Sequence, residues 1–407
     1  MARTSRREFL EQMSGAFAAG VCFPGLSRRS VFAGADDGQG DRVLVVIELS
    51  GGNDGLNTVV PFREDAYYRA RPQLGIKDGK LVKLDDKLGL HPELSPLKTL
   101  WDAGQLAVVN GVGYPHPNRS HFESMDIWHT GDPGQGARRA GWLGRYLEAR
   151  SVAEGVDPRG MNVGGDLPLA MRAEHLAVPS LSGLDSLVLR TDPRSGQDAA
   201  LEVETMRTLA GLERPGEAET LAFLRRTLAG ACAEADRLKQ AAQTYQAAVS
   251  YEGGLGQKLA LIARMIDGAF PARVFYTATG GYDTHAGQEV SHNQLHRSLA
   301  RALADFWKDL TAHKHHERVA VMVFSEFGRR VEENGSRGTD HGTAGPVLVA
   351  GGKVRGGLHG AYPSLTDLDA GDLKFTTDFR AIQRSLLEHW LGHTATTATV
   401  PALPLFA

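Results

Sequence analysis

The chain has 407 residues, of which 42% are hydrophobic and 23% are charged, and its formal net charge is −3. This composition is that of a globular protein, because disordered chains combine few apolar residues with high net charge. A net charge so close to neutral argues against a nucleic-acid-binding surface. The 48 glycines indicate many tight loops.

The first 35 residues are typical of a twin-arginine (Tat) export signal. Ser5 to Leu10 (SRREFL) contain the arginine pair, a weakly apolar stretch runs from Met13 to Leu26, and a small-residue site lies near Phe32 to Ala35. The apolar stretch is too short to cross a membrane. We therefore expect binding to the Tat translocase, no transmembrane anchor, and a periplasmic or extracellular mature protein. A basic amphipathic leader is the alternative interpretation.

A single large domain is predicted after the signal. A Gly/Asp-rich linker at 36–41 leads into residues 42–407. A loop and helical insertion is expected at about 151–270, because its first part is rich in Pro and Gly and its later part, Glu217 to Val249, has a helical pattern. Removal of the signal leaves Cys232 alone, so no internal disulfide is expected.

Apolar runs that end in polar loops predict the strands of an α/β sheet. The predicted strands are Val43–Leu49, Leu106–Val109, Arg273–Thr277, Val319–Phe324 and Pro346–Ala350. Helical patterns lie between them, at Leu90–Gly104, from Ser120 onwards, Leu255–Phe270, His292–Thr311 and Asp378–Leu391. This alternation predicts a doubly wound, mostly parallel sheet flanked by helices.

Polar side chains with the chemistry of a metal site follow these strands. In open α/β sheets ligands bind at the carboxyl ends of the strands, so we expect one shared site there. The predicted metal ligands are carboxylates and imidazoles: Asp54, Asp283, His285, Glu326, Asp340 and His341. Such ligands suit Zn²⁺ or Mn²⁺ better than Ca²⁺ alone, and Mg²⁺ or Ca²⁺ remains an alternative.

Each of these residues also has an ordinary structural interpretation. Glu326 could pair with Arg329 or Arg330 on the surface, Asp340 could cap a turn, and His341 could be a loop histidine with its own hydrogen bonds. Several strand ends with the same kind of chemistry are harder to explain by caps alone. We therefore favour the shared site.

Ser120 is the predicted nucleophile. It stands where a helix begins, and the helix dipole and free N–H groups there attract phosphate-like anions and favour an alkoxide. Arg119 and His121 beside it add donor or cationic groups, so all three residues are candidate catalytic residues. The alternative is that Ser120 only caps the helix, because Glu123 completes a capping-box pattern.

Several motifs together resemble a known bacterial exported family. They are LSGGNDGLNTVVP at 49–61, GVGYPHPNRSHFES at 111–124, GGYDTH at 280–285, SEFGR at 325–329 and TDHGTAGP at 339–346. The family is catalogued as a domain of unknown function, DUF1501. It is in turn similar to the alkaline phosphatase and sulfatase superfamily, and the resemblance implies an α/β core with metal ligands at strand ends.

The resemblance also implies roles for individual residues. Asp54 matches the first-strand metal aspartate of the superfamily, and Ser120 matches the nucleophile region. Asp283 and His285 match an Asp/His metal pair, and His341 matches a late metal histidine.

The sequence departs from the superfamily at two places. Glu326-Phe327 stands where an Asp-His pair is usual, and phenylalanine cannot bind a metal. The nucleophile loop also lacks a Cys/Ser-x-Pro-x-Arg segment, which disfavours a formylglycine sulfatase. The leading hypothesis is an exported metal-dependent hydrolase of phosphate or sulfate esters, acting on a small-molecule or polymer-linked substrate. The alternative is a non-catalytic periplasmic binding or assembly protein with a degenerate metal site, which Phe327 favours.

Overall fold

The computed structural model describes most of the chain after the predicted signal. The described residues are 41–132, 140–154, 159–176, 178–181, 199–212, 221, 245–394 and 400–406. The signal, nearly all of the linker and most of the predicted helix Glu217–Val249 lie outside them. Among the described residues, none of the helices has the length and apolar character needed to cross a bilayer.

Short and long strands alternate with helices along the described chain. The strands are β1 Val43–Leu49, β2 Val59–Val60, β3 Val82–Lys83, β4 Gly89–Leu90, β5 Leu106–Gly113, β6 Arg159–Val163, β7 Ser180–Leu181, β8 Ala272–Thr279, β9 Val319–Phe324, β10 Gly345–Gly351, β11 Gly357–His359, β12 Leu368–Asp369, β13 Asp372–Leu373 and β14 Thr377–Asp378. The α-helices are α1 Gly55–Thr58, α2 Asp65–Ala70, α3 Lys98–Asp102, α4 His121–Thr130, α5 Trp142–Glu154, α6 Ala199–Gly211, α7 Gly253–Asp267, α8 Gln288–Ala312 and α9 Phe379–Ser385.

Shorter helical segments connect these elements. The 3₁₀-helices are Asp78–Lys80, Pro92–Leu97, Leu169–Met171 and His316–Arg318, and a π-helical turn at Leu386–Trp390 continues α9.

One large sheet organises the fold. Its strands lie in the order β11-β5-β10-β9-β1-β8-β6-β7, and β14 pairs with β5 beside this path. Neighbouring strands are parallel except around β10, which is antiparallel to both β5 and β9. The sheet is therefore mostly parallel, as the sequence predicts.

Helices cover both faces of the sheet. Alternate residues of a strand point to opposite faces, and in β1 the side chains of Val45 and Ile47 enter one apolar cluster while Leu44 and Val46 enter the other. The first cluster includes residues of α7 and α8, and the second includes residues of α4, α5 and α9. The fold is the doubly wound arrangement that the alternating pattern predicts.

The carboxyl edge of the sheet gathers loops that are distant in sequence. Strands β8, β1 and β9 are parallel neighbours, so the loops after Thr279, Leu49 and Phe324 leave the sheet at the same edge. Strand β5 runs in the same direction, because β10 is antiparallel to both β5 and β9. For the same reason β10 begins at this edge, which brings the loop before Gly345 to the others.

Some predicted elements differ from the structure. The predicted helix Leu90–Gly104 is a short strand, a 3₁₀-helix and α3, because two prolines (Pro92 and Pro96) interrupt the α-helical hydrogen bonds. The region expected to be loops, from about 151 to 205, contains the end of α5 and the start of α6. Residues 245–249, at the end of the predicted helix Glu217–Val249, are not helical.

Candidate metal centre

Two adjacent glycines let the loop after β1 pass beneath the site. Gly51 has a φ of +121° and Gly52 a φ of +75°, values that disfavour other residues. A Cβ on Gly51 would collide with the backbone nitrogen of Asp283, and one on Gly52 would collide with the ring of Phe327. The close crossing therefore needs both glycines, and it fixes Asp283 and Phe327 against the β1 loop.

Three histidines converge on one carboxylate at this edge. The Nε2 atoms of His285 and His341 each lie 3.1 Å from Asp283 Oδ1, and His121 Nε2 lies 3.6 Å from the same oxygen. Ligand atoms of His121, Asp283 and His341 lie within 4.8 Å of one another, a spacing that can hold a metal ion. We call these four residues (His121, Asp283, His285 and His341) the candidate centre.

The other ring nitrogen of each histidine faces an acceptor. His121 Nδ1 lies 2.8 Å from Glu326 Oε1, His285 Nδ1 lies 3.1 Å from Asp340 Oδ1, and His341 Nδ1 lies 2.9 Å from the carbonyl oxygen of residue 119. Carboxylate and carbonyl oxygens cannot donate, so each Nδ1 carries the hydrogen. In the neutral form of each ring, Nε2 then has a free lone pair, which is the tautomer that metal-binding histidines use.

The free lone pairs face one another. His285 Nε2 and His341 Nε2 are 2.9 Å apart and both lie beside Asp283 Oδ1, so with neutral rings three acceptor atoms meet and none of them carries a hydrogen. His121 Nε2 is buried and has no hydrogen-bond partner. Acceptors this close repel unless a cation lies between them. The donor set therefore fits a bound metal ion.

A buried arginine already compensates part of the charge of Asp283. Arg329 Nη2 donates to Asp283 Oδ1 at 2.7 Å, and the same guanidinium donates to the carbonyl oxygens of Gly52 and Thr339. Burial alone would raise the pKa of Asp283, but the hydrogen bond and the positive charge of Arg329 outweigh it and hold the pKa at about 2. Asp283 is therefore an anion at neutral pH.

Glu326 holds a ligand histidine instead of facing the centre itself. Its Oε1 accepts hydrogen bonds from His121 Nδ1 and from the backbone nitrogen of Gly51, both at 2.8 Å, and Ser325 Oγ donates to Oε2 at 2.8 Å. The side chain is 1% exposed. The surface pairing with Arg329 or Arg330 that the sequence left open does not occur. Glu326 instead fixes the orientation and tautomer of His121.

Asp340 has the same role for a second ring. Its Oδ1 accepts from His285 Nδ1 and from Asn334 Nδ2, each at 3.1 Å. The hydrogen bond from Asn334 is the main cause that lowers the pKa of Asp340. The sequence analysis listed Glu326 and Asp340 among the metal ligands. In the structure they contact the Nδ1 atoms of His121 and His285, on the side of each ring that faces away from Asp283.

Asp54 does not join the candidate centre. Its carboxylate is fully buried and forms a two-point ion pair with Arg71, at 2.6 Å and 3.1 Å, and it also accepts a hydrogen bond from Gln288. Burial alone would raise the pKa of Asp54, but Arg71 outweighs it and the pKa is lowered. The structure therefore does not bring Asp54 together with the candidate centre, because its carboxylate is held by the Arg71 guanidinium.

The two residues before His121 lie at the opening of the centre. Ser120 is exposed and takes the N-cap position of α4, yet its side chain forms no capping hydrogen bond. Arg119 approaches His341 with its carbonyl oxygen, while its guanidinium turns away to form an ion pair with Asp372. The capping-box alternative for Ser120 is therefore not seen.

Sequence reasoning missed two arginines that shape this edge. Arg71 and Arg329 are both 1% exposed, although arginine is rarely buried unless it is paired. Arg329 lies inside the SEFGR motif, so its motif position was a usable signal. Nothing local marks Arg71, because its partner Asp54 is brought to it only by the fold.

The fold and the candidate centre define the chain as a doubly wound α/β protein with a histidine-rich candidate metal site at the carboxyl edge of its sheet. A family model described as "Protein of unknown function (DUF1501)" matches residues 41–381. The chain belongs to this family, as its motifs indicate. None of the curated proteins is detectably similar in sequence.

Solved structures with a similar fold share little sequence with the chain. The lipoteichoic acid synthase LtaP from Listeria monocytogenes is 7% identical, with 97% of this chain and 79% of that chain covered and a TM-score of 0.39. A protein in the alkaline phosphatase superfamily from Vibrio parahaemolyticus is 10% identical, with 98% and 78% covered and a TM-score of 0.36.

A third similar structure is the C-terminal periplasmic domain of EcEptC from Escherichia coli in complex with Zn. It is 9% identical, with 76% of this chain and 73% of that chain covered and a TM-score of 0.37. At such identities and TM-scores, no conclusion about the activity of this chain rests on these likenesses.

Proposed function

We propose that the protein is a metal-dependent hydrolase of phosphate or sulfate esters. The observation that carries this proposal is the convergence of three histidine Nε2 atoms on Asp283 Oδ1. Such a donor set, open to solvent on one side, binds a cation and leaves room for a substrate. The resemblance of the motifs to a superfamily of phosphatases and sulfatases gives the substrate class.

The residues of the centre favour zinc. Three imidazoles and one carboxylate suit Zn²⁺, whereas Mg²⁺ and Ca²⁺ prefer oxygen ligands throughout. A divalent cation held there would supply positive charge that polarises an ester oxygen of the substrate. Because Arg71 and Arg329 already pair with the neighbouring carboxylates, we propose one cation for each chain.

The proposed nucleophile is Ser120. It is exposed, and in the sequence it stands between Arg119, whose carbonyl oxygen contacts His341, and His121 of the centre; the N-terminus of α4 offers free N–H groups to ester oxygens. In this step Ser120 Oγ forms a bond to phosphorus or sulfur while the bond to the alcohol oxygen breaks. The serine proton goes to solvent, the alcohol oxygen takes a proton from solvent, and water later cleaves the serine ester.

A non-catalytic binding or assembly protein is the second candidate function. The buried ion pair between Asp54 and Arg71, and the contact of Arg329 with Asp283, give the protein its own cations beside the centre. Because these arginines already neutralise the negative charge of the two carboxylates, Asp54 and Asp283 do not each require a metal ion. This candidate predicts that a bound metal, if present, is not accompanied by turnover.

One set of variants separates the two candidates. The mature chain is tested for hydrolysis of 4-nitrophenyl phosphate and 4-nitrophenyl sulfate, and its metal content is measured. If the proposal is right, Ser120→Ala abolishes turnover and keeps the metal, and the matched change Ser95→Ala, at an exposed serine of Pro92–Leu97, has no effect. A wild-type protein that holds metal but hydrolyses neither ester supports the binding protein instead.

Export by the Tat pathway is also a proposal, supported by the arginine pair in the leader. Replacing Arg6 and Arg7 by lysine should leave the precursor in the cytoplasm. The matched control is Arg28→Lys with Arg29→Lys, which keeps the pair at the start of the leader. Normal export of the Arg6 and Arg7 double variant would rule out the Tat assignment.

A further inference from the structure

Two arginines share one buried carboxylate beside the candidate centre. Asp372 in β13 forms an ion pair with Arg119 Nη2, and its Oδ1 lies 3.6 Å from Arg330 Nε. The Asp372 side chain is 2% exposed, while the arginine side chains are 41% and 36% exposed. The two guanidinium groups therefore reach the surface, whereas the carboxylate of Asp372 that holds them is buried.

Backbone contacts join this trio to the centre. The carbonyl oxygen of Arg119 lies 2.9 Å from His341 Nδ1, and the backbone nitrogen of Arg330 donates to the carbonyl oxygen of Asp340 at 3.0 Å. Both arginines thus flank the loop that carries His341. Their guanidinium groups meet at Asp372, while their backbones contact the loop of the centre.

The trio carries an excess of positive charge and of hydrogen-bond donors. Two guanidiniums face one carboxylate, and burial is the main cause that raises the pKa of Asp372, which makes its negative charge less favourable. A guanidinium has five N–H donors. In the described contacts Arg119 uses its guanidinium on Asp372, and Arg330 uses one further donor on the carbonyl oxygen of Ala370. Donors on both arginines remain for a ligand.

We propose that Arg119 and Arg330, anchored by Asp372, form a subsite that binds a second anionic group of the substrate, next to the ester that lies at the candidate centre. The group is an oxyanion such as a sulfate, a phosphate or a carboxylate, for which paired guanidiniums are the preferred partners. This proposal rests on the proposed function only in calling the ligand a substrate. It narrows the substrate class to esters with more than one negative charge.

Asp372 makes the proposal testable, because it competes with the ligand for the same donors. Removing its charge by Asp372→Asn frees both guanidiniums and should strengthen anion binding. If the trio were only a structural tether between the loop and β13, the same variant would lose an ion pair and gain nothing in binding. The subsite therefore predicts stronger anion binding by Asp372→Asn, and the structural tether predicts no gain.

The experiment measures binding of two sulfonates that are not esters and cannot be hydrolysed. Benzene-1,3-disulfonate and benzenesulfonate are titrated calorimetrically into the purified mature protein with its metal. We expect the disulfonate to bind about tenfold more tightly, since a second anion adds charge-assisted hydrogen bonds. Arg330→Gln should abolish this advantage, and Asp372→Asn should increase it. The control Lys374→Gln, which breaks an exposed ion pair with Asp367 near the trio, should leave it unchanged.

The outcomes distinguish this subsite from the proposed hydrolysis. The subsite is overturned if the wild type binds the disulfonate no more tightly than the monosulfonate. It is also overturned if Arg330→Gln and Lys374→Gln show the same preference for the disulfonate. An advantage in Asp372→Asn that is no larger than in the wild type, with an unchanged melting temperature, also overturns it. If the advantage behaves as expected while neither 4-nitrophenyl ester is turned over, the subsite stands and the hydrolase proposal fails.

Discussion

Two clusters of three histidines lie near the same sheet edge, and they differ in what their nitrogens face. In the candidate centre each Nδ1 faces an acceptor and each Nε2 is directed at Asp283. The second group, which we call the buried cluster, consists of His91, His292 and His296, with ring centroids 4.0 Å apart for the closest pair. No carboxylate lies among its ring contacts.

Three nitrogens of the buried cluster face neutral groups, and the buried Nδ1 of His296 has no hydrogen-bond partner among the described residues. His292 Nε2 lies 3.1 Å from Asn53 Oδ1, His296 Nε2 lies 3.1 Å from the hydroxyl of Thr58, and the backbone nitrogen of Glu93 donates to His91 Nδ1. Within the described residues, the candidate centre contains the one group whose ligand atoms are spaced for a metal. The comparison teaches that the direction of the free lone pairs marks a metal site, and that the number of histidines does not.

The largest difference between the two clusters should be in metal affinity. We expect His341→Ala to weaken zinc binding by more than about 100-fold, because losing a ligand costs more than losing a partner of a ligand. The matched variant in the buried cluster, His292→Ala, should keep zinc affinity. It should instead lower the free energy of unfolding by about 2–4 kcal/mol, since it leaves a cavity and removes one of the hydrogen-bond partners of Asn53. Competition with a chromogenic chelator and urea unfolding measure the two effects.

A smaller change in metal affinity is expected from the carboxylate behind His121. Glu326→Gln keeps the shape of the side chain but weakens its hold on the ring, so zinc affinity should fall by about 10–100-fold. Glu93→Gln, at a carboxylate next to the buried cluster that pairs with Arg297, is the control and should change nothing. Equal zinc affinities in the two variants would mean that Glu326 has no role in orienting a ligand.

The buried cluster should make the free energy of unfolding depend on pH. Burial lowers the pKa of His91 to about 4 and lowers the pKa values of His292 and His296 well below 6.5. In the folded state these rings stay neutral while the unfolded chain takes up protons near pH 6.5. Stability is therefore complete above about pH 6.5 and is lost as the pH falls, by roughly 2 kcal/mol for each ring between pH 6.5 and 5.

The variant His296→Asn tests this assignment. It removes one buried ring, so the loss of unfolding free energy between pH 7.5 and 5 should be smaller than in the wild type by roughly 2 kcal/mol. Urea unfolding at the two pH values measures the difference. The same pH dependence in both proteins would show that protonation of His296 is not linked to unfolding.

The smallest effect is expected on stability at Ser120. Its side chain makes no capping hydrogen bond, so Ser120→Ala should change the free energy of unfolding by about 0.5 kcal/mol or less. A capping serine would cost about 1 kcal/mol. Thermal unfolding of the variant, compared with Ser95→Ala, decides between the two values.

The sequence predicted the sheet well because its strands are buried. Runs such as Val43–Leu49 and Val319–Phe324 match the observed strands residue for residue, since strands covered on both faces are mostly apolar. Helix ends were less predictable. The helix predicted at Leu90–Gly104 breaks at Pro92 and Pro96, where the apolar pattern continues but the backbone hydrogen bonds cannot.

The sequence indicated most of the residues that meet at the candidate site, but it did not indicate the role of each one. Strand ends indicated Asp283, His285 and His341, which the structure brings together. The pattern could not show that Asp54 is neutralised by Arg71, because that ion pair links residues through the fold. Nor could it tell a ligand from the carboxylate behind it, as at Glu326, because that depends on which nitrogen of His121 faces the carboxylate.

The metal content of the mature protein tests the central claim most directly. The wild-type chain, purified after export and measured by elemental analysis, should contain one zinc for each chain, and Asp283→Asn should contain almost none. Arg330→Gln, outside the centre, should match the wild type. A wild-type protein that holds no metal even after incubation with excess zinc, or that retains its zinc in Asp283→Asn, would contradict the account.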